Sequence, residues 1–561
     1  GTWTRVNDQR DLRQRAFYFS RIVADPRDRD TGYALNYQLN RSTDGGRTFT
    51  PLPETHADHH DLWIDPRNPL RLINSNDGGG TVSVNGGQTW TPQDYPTAQF
   101  YHVATTADMP FHVCGAQQDN STACVPSDAA EHLRDPRQPA GEWLYAAGGN
   151  ESGHVVPHPT DPHIFYAGGQ EAFLTRYDRR TGHARDIQPY PRLYSGESAG
   201  VVPERWNWTF PIAVARVGPH AVYAGSQHLW RTTDEGQTWE RISPDLTRAD
   251  AKTMGDSGGP ITKDQNGPEF FATIFSIAPS HVEAGAIWVG SDDGRIHLTR
   301  DDGVTWTEVT PPDLPEFTTI SSIEASRHAA GGAFVAGKRY RLDDRAPYGW
   351  KTADYGRTWT RITSGIAPND YLHVIREDPA RAGLLYAGSE HGVYLSLDAG
   401  THWQSLSLNL PDTQVPDLVV EDHDLVVATH GRSFYVLEGI DALRQADRMP
   451  AGARAHLLAP GPAVRRYRPA IIDYVLRAEA RAISIDIVDA DGRTVRTLTA
   501  PASTRAGADR VRWNLRTHGA VTFPGMILRS ANPARGPLAP PGTYRVRLTV
   551  DGQVQERALE L

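Results

Sequence analysis

The chain has 561 residues and a formal net charge of −10, long enough for more than one core and too acidic for a nucleic-acid surface; no dense Lys/Arg stripe with interleaved aromatics is present. Fourteen Trp, 51 Gly and 41 Pro beside short β-branched runs describe an all-β chain with many turns. No apolar run reaches the roughly 18 residues that a membrane-spanning helix needs, and no signal-peptide pattern is visible.

From the N-terminus onward one eight-residue phrase recurs. Ser42 to Phe49 reads hydroxyl-x-Asp-x-Gly-x-Thr-aromatic, and Ser83 to Trp90, Thr232 to Trp239, Thr299 to Trp306, Thr352 to Trp359 and Ser396 to Trp403 repeat it, loosened once to Asn85 and once to His402. The opening Gly1-Thr2-Trp3-Thr4 looks like the tail of a further copy, so the native start is expected upstream. In each phrase the Asp can accept N–H groups of its own turn, Gly takes the φ > 0 position, and the aromatic starts a strand. These aspartates are therefore expected to lock turns. A fixed phrase at this spacing marks a repeat architecture.

A second phrase precedes it: a β-run ending in Ala-Gly, a polar hairpin and another β-run, as in Tyr166-Ala167-Gly168 and Tyr386-Ala387-Gly388. Asp-Pro turns such as Asp65-Pro66 and Asp378-Pro379 lie upstream. Strand, Asp-Pro turn, strand, polar hairpin, strand, repeated turn, strand is one four-stranded blade. Nine such units begin near residues 17, 58, 99, 152, 207, 271, 319, 371 and 415; the last has room for three strands, and Thr2 to Val6 is the expected fourth. Cys114 and Cys124 flank Gln118-Asp119 symmetrically and form either a cross-strand disulfide, which suits an extracytoplasmic compartment, or two free buried thiols. Residues 244 to 269 form an insertion whose Asp256-Ser257-Gly258-Gly259-Pro260 only superficially resembles a serine-protease segment; Gly-x-Ser-x-Gly is absent. After Glu438-Gly439 the repeats stop, and Ile440 to Met449 reads as a short helical linker. Beyond it lie period-2 runs, Ile483 to Val488, Val511 to Leu515, Thr543 to Leu548 and Val554 to Leu559, with hairpin turns at Asp489 to Gly492 and Asp551-Gly552.

The eight-residue phrase resembles the Asp-box of sialidase-like and sortilin-like β-propellers. Residues 1–445 resemble the later part of bacterial sortilin-like or BNR-repeat glycosyl hydrolases, relatives of the two-propeller xyloglucanases. The resemblance implies an all-β Asp-box β-propeller, with a seven-bladed ring plus blades of a second ring; one larger ring is the alternative. It also implies that an N-terminal propeller segment, on a separate chain, completes the second ring. Residues 446–561 resemble an immunoglobulin-like β-sandwich of the flagellar hook-cap type.

In a propeller the inter-blade segments and the hairpins between second and third strands converge around one end of the axis, where ligand chemistry is expected. Asn76-Asp77-Gly78-Gly79-Gly80 resembles the hairpin that bears a catalytic carboxylate in two-propeller xyloglucanases, which makes Asp77 the first catalytic candidate, with Asp119 and Glu171 as partners. Such enzymes use one general acid and one general base. His59, His60, Tyr101, His102, Trp206, Trp208, Gln118, Gln227, His228, Asp292, Glu390 and His391 are the expected ligand-binding groups, aromatics stacking on sugar rings and polar groups taking hydroxyls. Gln99, Glu151, Lys338, His373 and His430 fall on the same face. For His56 to His60 strand alternation sends neighbouring imidazoles apart, so no metal and no cofactor is expected. Arg339, Arg341 and Arg432 do not reproduce the sialidase arginine motif. The expectation is a secreted, bacterial, carbohydrate-active protein that hydrolyses a polysaccharide with two carboxylates. The alternative is a sortilin-like, non-catalytic scaffold that binds a peptide or protein.

Overall fold

The computed structural model describes residues 2–14, 20–53, 56–128, 144–194, 196–258, 270–446, 450, 452–465, 467–498, 504–527 and 532–561. The later part of the 244–269 insertion, with Gly259-Pro260, and the end of the Ile440 to Met449 linker lie outside these residues. The regular secondary structure is nearly all β, arranged as many small antiparallel sheets, consistent with the propeller-like architecture expected.

Nine sheets follow one another between Arg21 and Glu438, each meandering in sequence order, at the nine places where the repeats fall. The repeated turn forms because side chains and backbone satisfy each other locally. In the fifth sheet Thr232 Oγ1 donates to Asp234 Oδ1 (2.8 Å), and Asp234 accepts from Thr238 N (2.9 Å) and Thr238 Oγ1 (2.7 Å). The bonds from Thr238 hold the Asp234 carboxyl down at about 2. In the eighth sheet His402 substitutes for Thr, its Nδ1 lying 2.8 Å from Asp398 Oδ2. The Trp that ends each of the last four turns latches onto the preceding sheet: Trp239 Nε1 donates to Ile187 O, Trp306 to Ile242 O, Trp359 to Val309 O and Trp403 to Ile362 O, at 2.8–2.9 Å.

The last seven sheets form a closed ring. Their first strands, Ala104–Thr105, Val155–Pro157, Ile212–Val214, Ile274–Pro279, Thr319–Ala325, Leu372–Glu377 and Asp417–Glu421, touch in succession, and the seventh touches the first. Together they line a central channel containing a cavity of about 420 Å³. An apolar core fills each interface around the circle, including Cys114, Cys124, Val155 and Phe165 between the third and fourth sheets, and Phe100, Val113, Val426 and Ala428 where ninth meets third. Cys114 and Cys124 are direct cross-strand partners and are disulfide-bonded.

Closure differs from the expectation for Thr2 to Val6. That segment forms no strand; the residues following it lie on the first repeated turn, with Asn7 Nδ2 donating to Arg47 O (2.7 Å), and the ninth sheet keeps three strands. The ring is clasped instead by Ala98 to Phe100: Phe100 N donates to Thr429 O (3.1 Å), Ser433 N to Ala98 O (3.0 Å), and the Phe100 ring stacks on Phe434. An extended segment with free backbone groups beside the last hairpin meets the same hydrogen-bonding need without a full strand.

The first two sheets, Arg21 to Pro51 and His59 to Ser83, stand outside this ring and share their own core of Tyr33, Leu35, Leu39, Leu62, Ile64 and Leu72. After the short helix Asp441–Arg444 come a three-stranded and a four-stranded sheet, packed over Tyr474, Ile485, Ile487, Trp513, Val546 and Leu548. Arg510 ties them to the ring by donating to Glu438 O and Gly439 O at 2.6 Å. Asp489 and Asp491 lie at an ordinary hairpin turn, Arg493 N donating to Asp489 Oδ1 (2.8 Å).

Candidate functional site

At the end of the channel where first strands begin, polar side chains from several sheets meet. Gln99 Nε2 donates to Gln118 Oε1 (3.0 Å) and lies 3.3 Å from His430 Nε2. His430 Nδ1 is 2.9 Å from Gln414 Oε1, which only accepts, so Nδ1 carries the ring proton and Nε2 accepts from Gln99. The Tyr101 hydroxyl also donates to Gln118 Oε1. Burial pushes Tyr101 up to about 12; the half-buried Trp208 indole opposes this, while Asp119 and Glu151 add to it.

A second arm runs through Lys338, His373 and Glu390. Lys338 Nζ is 3.4 Å from His373 Nδ1, and His373 Nε2 is 3.3 Å from Glu390 Oε2. An ammonium cannot accept, so Nδ1 receives its proton bond and Nε2–H faces the carboxylate. Burial, reinforced by Arg341, draws Lys338 down to about 8, and burial beside Lys338 draws His373 to about 3. The Lys338 ammonium lies 5.5 Å from the Phe275 ring and 5.9 Å from that of Tyr340, which stacks on Tyr371.

Asp119 occupies the hairpin of the third sheet at φ 60°, its N–H donating to Glu151 Oε2 (2.6 Å). Its pKa is raised, first by burial; the Glu151 hydrogen bond opposes the rise, Asp77 adds to it, His56 opposes and Asp58 adds. Asp77, His56 and Asp58 all belong to the second sheet and its entry. The second sheet therefore lies within electrostatic reach of Asp119. Asp77 Oδ1 is 2.6 Å from His60 Nε2. Its hairpin is fixed by Gln93 Nε2 and Gly78 N, both donating to Asn76 Oδ1, and by Tyr95, whose hydroxyl donates to Gly80 O. Gly79 has φ +113°, and a Cβ there would sit 2.7 Å from the Tyr95 ring, so only glycine lets that ring close over the turn.

Of the residues singled out from the sequence, Asp77, Asp119, His60, Gln118, Tyr101, Trp208 and Glu390 belong to this neighbourhood. Glu171 is half-buried in the adjacent turn Gln170–Ala172 with φ 53°, while Gln170 donates to Glu151. His102 sits deeper in the channel, stacked 3.6 Å on His154 and 3.4 Å from Asp417. His391 is exposed beside Asp412 (2.9 Å), a hydrogen bond that raises its pKa. The other four polar groups and one aromatic are turned to internal work. Gln227 accepts from Arg205 N and donates to Pro203 O, His228 pairs with Glu204, and His59 Nδ1 lies 2.8 Å from Asn74 Oδ1. Asp292 accepts from Thr273 N and Oγ1, and burial with Asp293 pushes it up to about 7. Trp206 is fully buried and donates to Tyr194.

Sequence reading placed Gln99, Glu151, Lys338, His373 and His430 on this face without roles and missed Gln414, Tyr340 and Tyr371. The entry of one unit and the hairpin of its predecessor are neighbours in every ring interface; aligning units seven and eight on that rule is the signal that pairs Lys338 with His373. Among the described residues His158, His220 and Glu235 bring ligand-type atoms within 4.8 Å of one another at the opposite end. His158 Nδ1 accepts from the backbone N–H groups of Thr160 and Asp161, which leaves the proton on Nε2, and Glu235 is paired with Arg176. That arrangement suits a hydrogen-bond network better than a cation.

No protein-family profile matches the chain. It is 28% identical over 107 residues, 19% of its own length, to the oligoxyloglucan-reducing end-specific xyloglucanase of Emericella nidulans; the match spans 13% of that protein. Solved structures similar to it include the GH74 xyloglucanase of Xanthomonas campestris (15% identity, 96% of this chain and 91% of that one, TM-score 0.24). The GH74 enzyme of Niastella koreensis is similar at 13% identity, over 95% and 90% of the two chains, with TM-score 0.25. An extracellular domain from B. thetaiotaomicron is similar at 11% identity over 96% and 74%, with TM-score 0.39. Scores this low carry no argument for the whole chain.

Proposed function

We propose that the protein is a secreted glycoside hydrolase of the β-propeller type, acting on a polysaccharide by acid/base hydrolysis. Asp119 is the general acid: burial raises its carboxyl, the direction that favours holding a proton for the leaving glycosidic oxygen. Asp77, held by His60, is the base that takes a proton from the attacking water on the other side of the bond. Tyr101 and Trp208 supply ring faces for the sugar; Gln118 and Glu390 take hydroxyls. The observation that carries this reading is a half-buried Asp119 in a ring hairpin, hydrogen-bonded through its N–H to Glu151 and within electrostatic reach of Asp77 on the second sheet. The finer assignments are part of the proposal. Residues 1–445 are Asp-box propeller blades and 446–561 an immunoglobulin-like sandwich. The location is extracytoplasmic, in keeping with the disulfide. The second sheet receives further blades from a separate N-terminal segment, on the exposed row Trp63, Ile73 and Val82.

The test is a polysaccharide screen, xyloglucan included, with wild type, Asp77→Asn and Asp119→Asn. Each variant is expected to lose about 10²–10⁴-fold in turnover while still binding the glycan. An unchanged product profile in either variant removes that residue from the mechanism. Binding of peptide with no cleavage of any glycan favours the scaffold instead.

A further inference from the structure

At the channel end opposite the candidate site, where first strands finish, the walls carry charges that do not pair off. We propose that this chamber binds an oxyanion (a phosphate, sulfate or carboxylate group) through Arg216, with Arg327 and His281 completing the cradle. Arg376 is fully engaged: it donates to Asp417 (2.8 Å), Glu324 (3.3 Å), Ser322 (3.2 Å) and Leu418 O (3.2 Å). Glu324 is shared again, accepting from Arg327 Nε at 3.1 Å. The remaining carboxylate on the wall, Glu421, accepts from Thr105, and burial holds it above the usual carboxylate range.

Arg216 has no hydrogen-bond or ion-pair partner among the described residues and lines the cavity, repelled by Arg327 and Arg376 and attracted by Glu324, whose carboxylate is already shared between Arg327 and Arg376. Its fork of donors is the geometry that oxyanions bind in pairs. His281 reports the local potential: burial lowers it to about 4, and Arg327, Arg216 and Arg376 outnumber Glu324 around it. The cavity, about 420 Å³ against roughly 30 Å³ for one water, has room for an anion with its hydration or for a small anionic molecule.

The test is calorimetric titration of the full chain with sodium phosphate and, separately, sodium citrate, against sodium chloride at matched ionic strength. Wild type is expected to show saturable one-site binding that chloride does not reproduce, and a phosphate-dependent rise in Tm. Arg216→Gln is expected to weaken binding at least about tenfold and Arg216→Lys less; tighter phosphate or tighter citrate tells a tetrahedral from a carboxylate ligand. Arg216 is exposed, so both variants are expected to unfold at the wild-type temperature in chloride, which separates lost binding from lost folding. No saturable signal in wild type, or undiminished affinity in a folded Arg216→Gln, overturns the site. Polysaccharide turnover by Arg216→Gln is expected to equal wild type, so the outcome is independent of the hydrolase reading.

Discussion

The closed ring and the outer pair of sheets are written in the same repeat yet are buried differently. In the ring, middle strands such as Ile164–Gly168, Ile287–Ser291 and Leu385–Ser389 are buried at every residue, because a neighbouring sheet covers each face. In the second sheet the middle strand Leu72–Asn76 alternates: Leu72 and Asn74 are buried, whereas Ile73 is 46% exposed. Ile73 is flanked in register by Trp63 and Val82, exposed at 49% and 37%. The repeat thus encodes a two-sided interface even where this chain covers one side, and apolar residues on a sheet face are informative about neighbours rather than about the strand that carries them.

The sharpest way to break the comparison is at the point where the two regions meet. If Asp77 from the pair and Asp119 from the ring act on one bond, each Asn variant loses about 10²–10⁴-fold in turnover and the double variant loses scarcely more. Additive losses in kcat would mean that they act separately. Next, Trp288→Ala, fully buried in the ring, is expected to destabilise by about 3–5 kcal/mol in denaturant unfolding. In this chain alone, without the proposed partner segment, Trp63→Ala is expected to stay within about 0.5 kcal/mol. A large loss at Trp63 would mean that its face is covered in solution.

The repeated turn allows a finer contrast. Gly236 and Gly46 have φ +80° and +81°, but a Cβ at Gly236 would lie 2.5 Å from Ile187 Cβ, whereas at Gly46 the nearest atom is 3.7 Å away. Gly236→Ala is expected to cost about 2–4 kcal/mol, strain plus collision, and Gly46→Ala about 1–2, strain alone. Equal costs would show that the Ile187 side chain gives way and that close packing on the preceding sheet adds nothing at this turn. Smallest is a pH effect. Asp292 rises to about 7 on folding, so its penalty is absent below the unfolded value near 4 and grows as pH climbs toward 7. Asp292→Asn is expected to gain about 1–2 kcal/mol on wild type between pH 4 and 7, seen as converging melting curves in acid.

All nine units are legible in the sequence: six carry the eight-residue phrase, fixed by local chemistry, a hydroxyl, an Asp or Asn and a Gly, and the third, fourth and ninth show through the β-run, small residues and polar hairpin alone. Closure was not legible: Ala98 to Phe100 carries no strand pattern, and its pairing with Thr429 and Ser433 depends only on backbone groups. The same division holds at the candidate site. Asp77 and Asp119 stand out as bulky acids in hairpins, yet Gln227 and Asp292 occupy equivalent positions and serve as internal braces. Telling the two apart requires knowing what lies across the hairpin, which is tertiary information. Lys338 and His373 sit on different units, and their bond exists only once those units are adjacent.

The clasp at Ala98 to Phe100 joins partners such as Gln99 and His430 that are 331 residues apart along the chain. At about 5–20 residues per second, a ribosome spends tens of seconds between making one half of that clasp and the other. During that interval the edges of the third sheet wait uncovered, which makes the unfinished ring the species that a chaperone would meet.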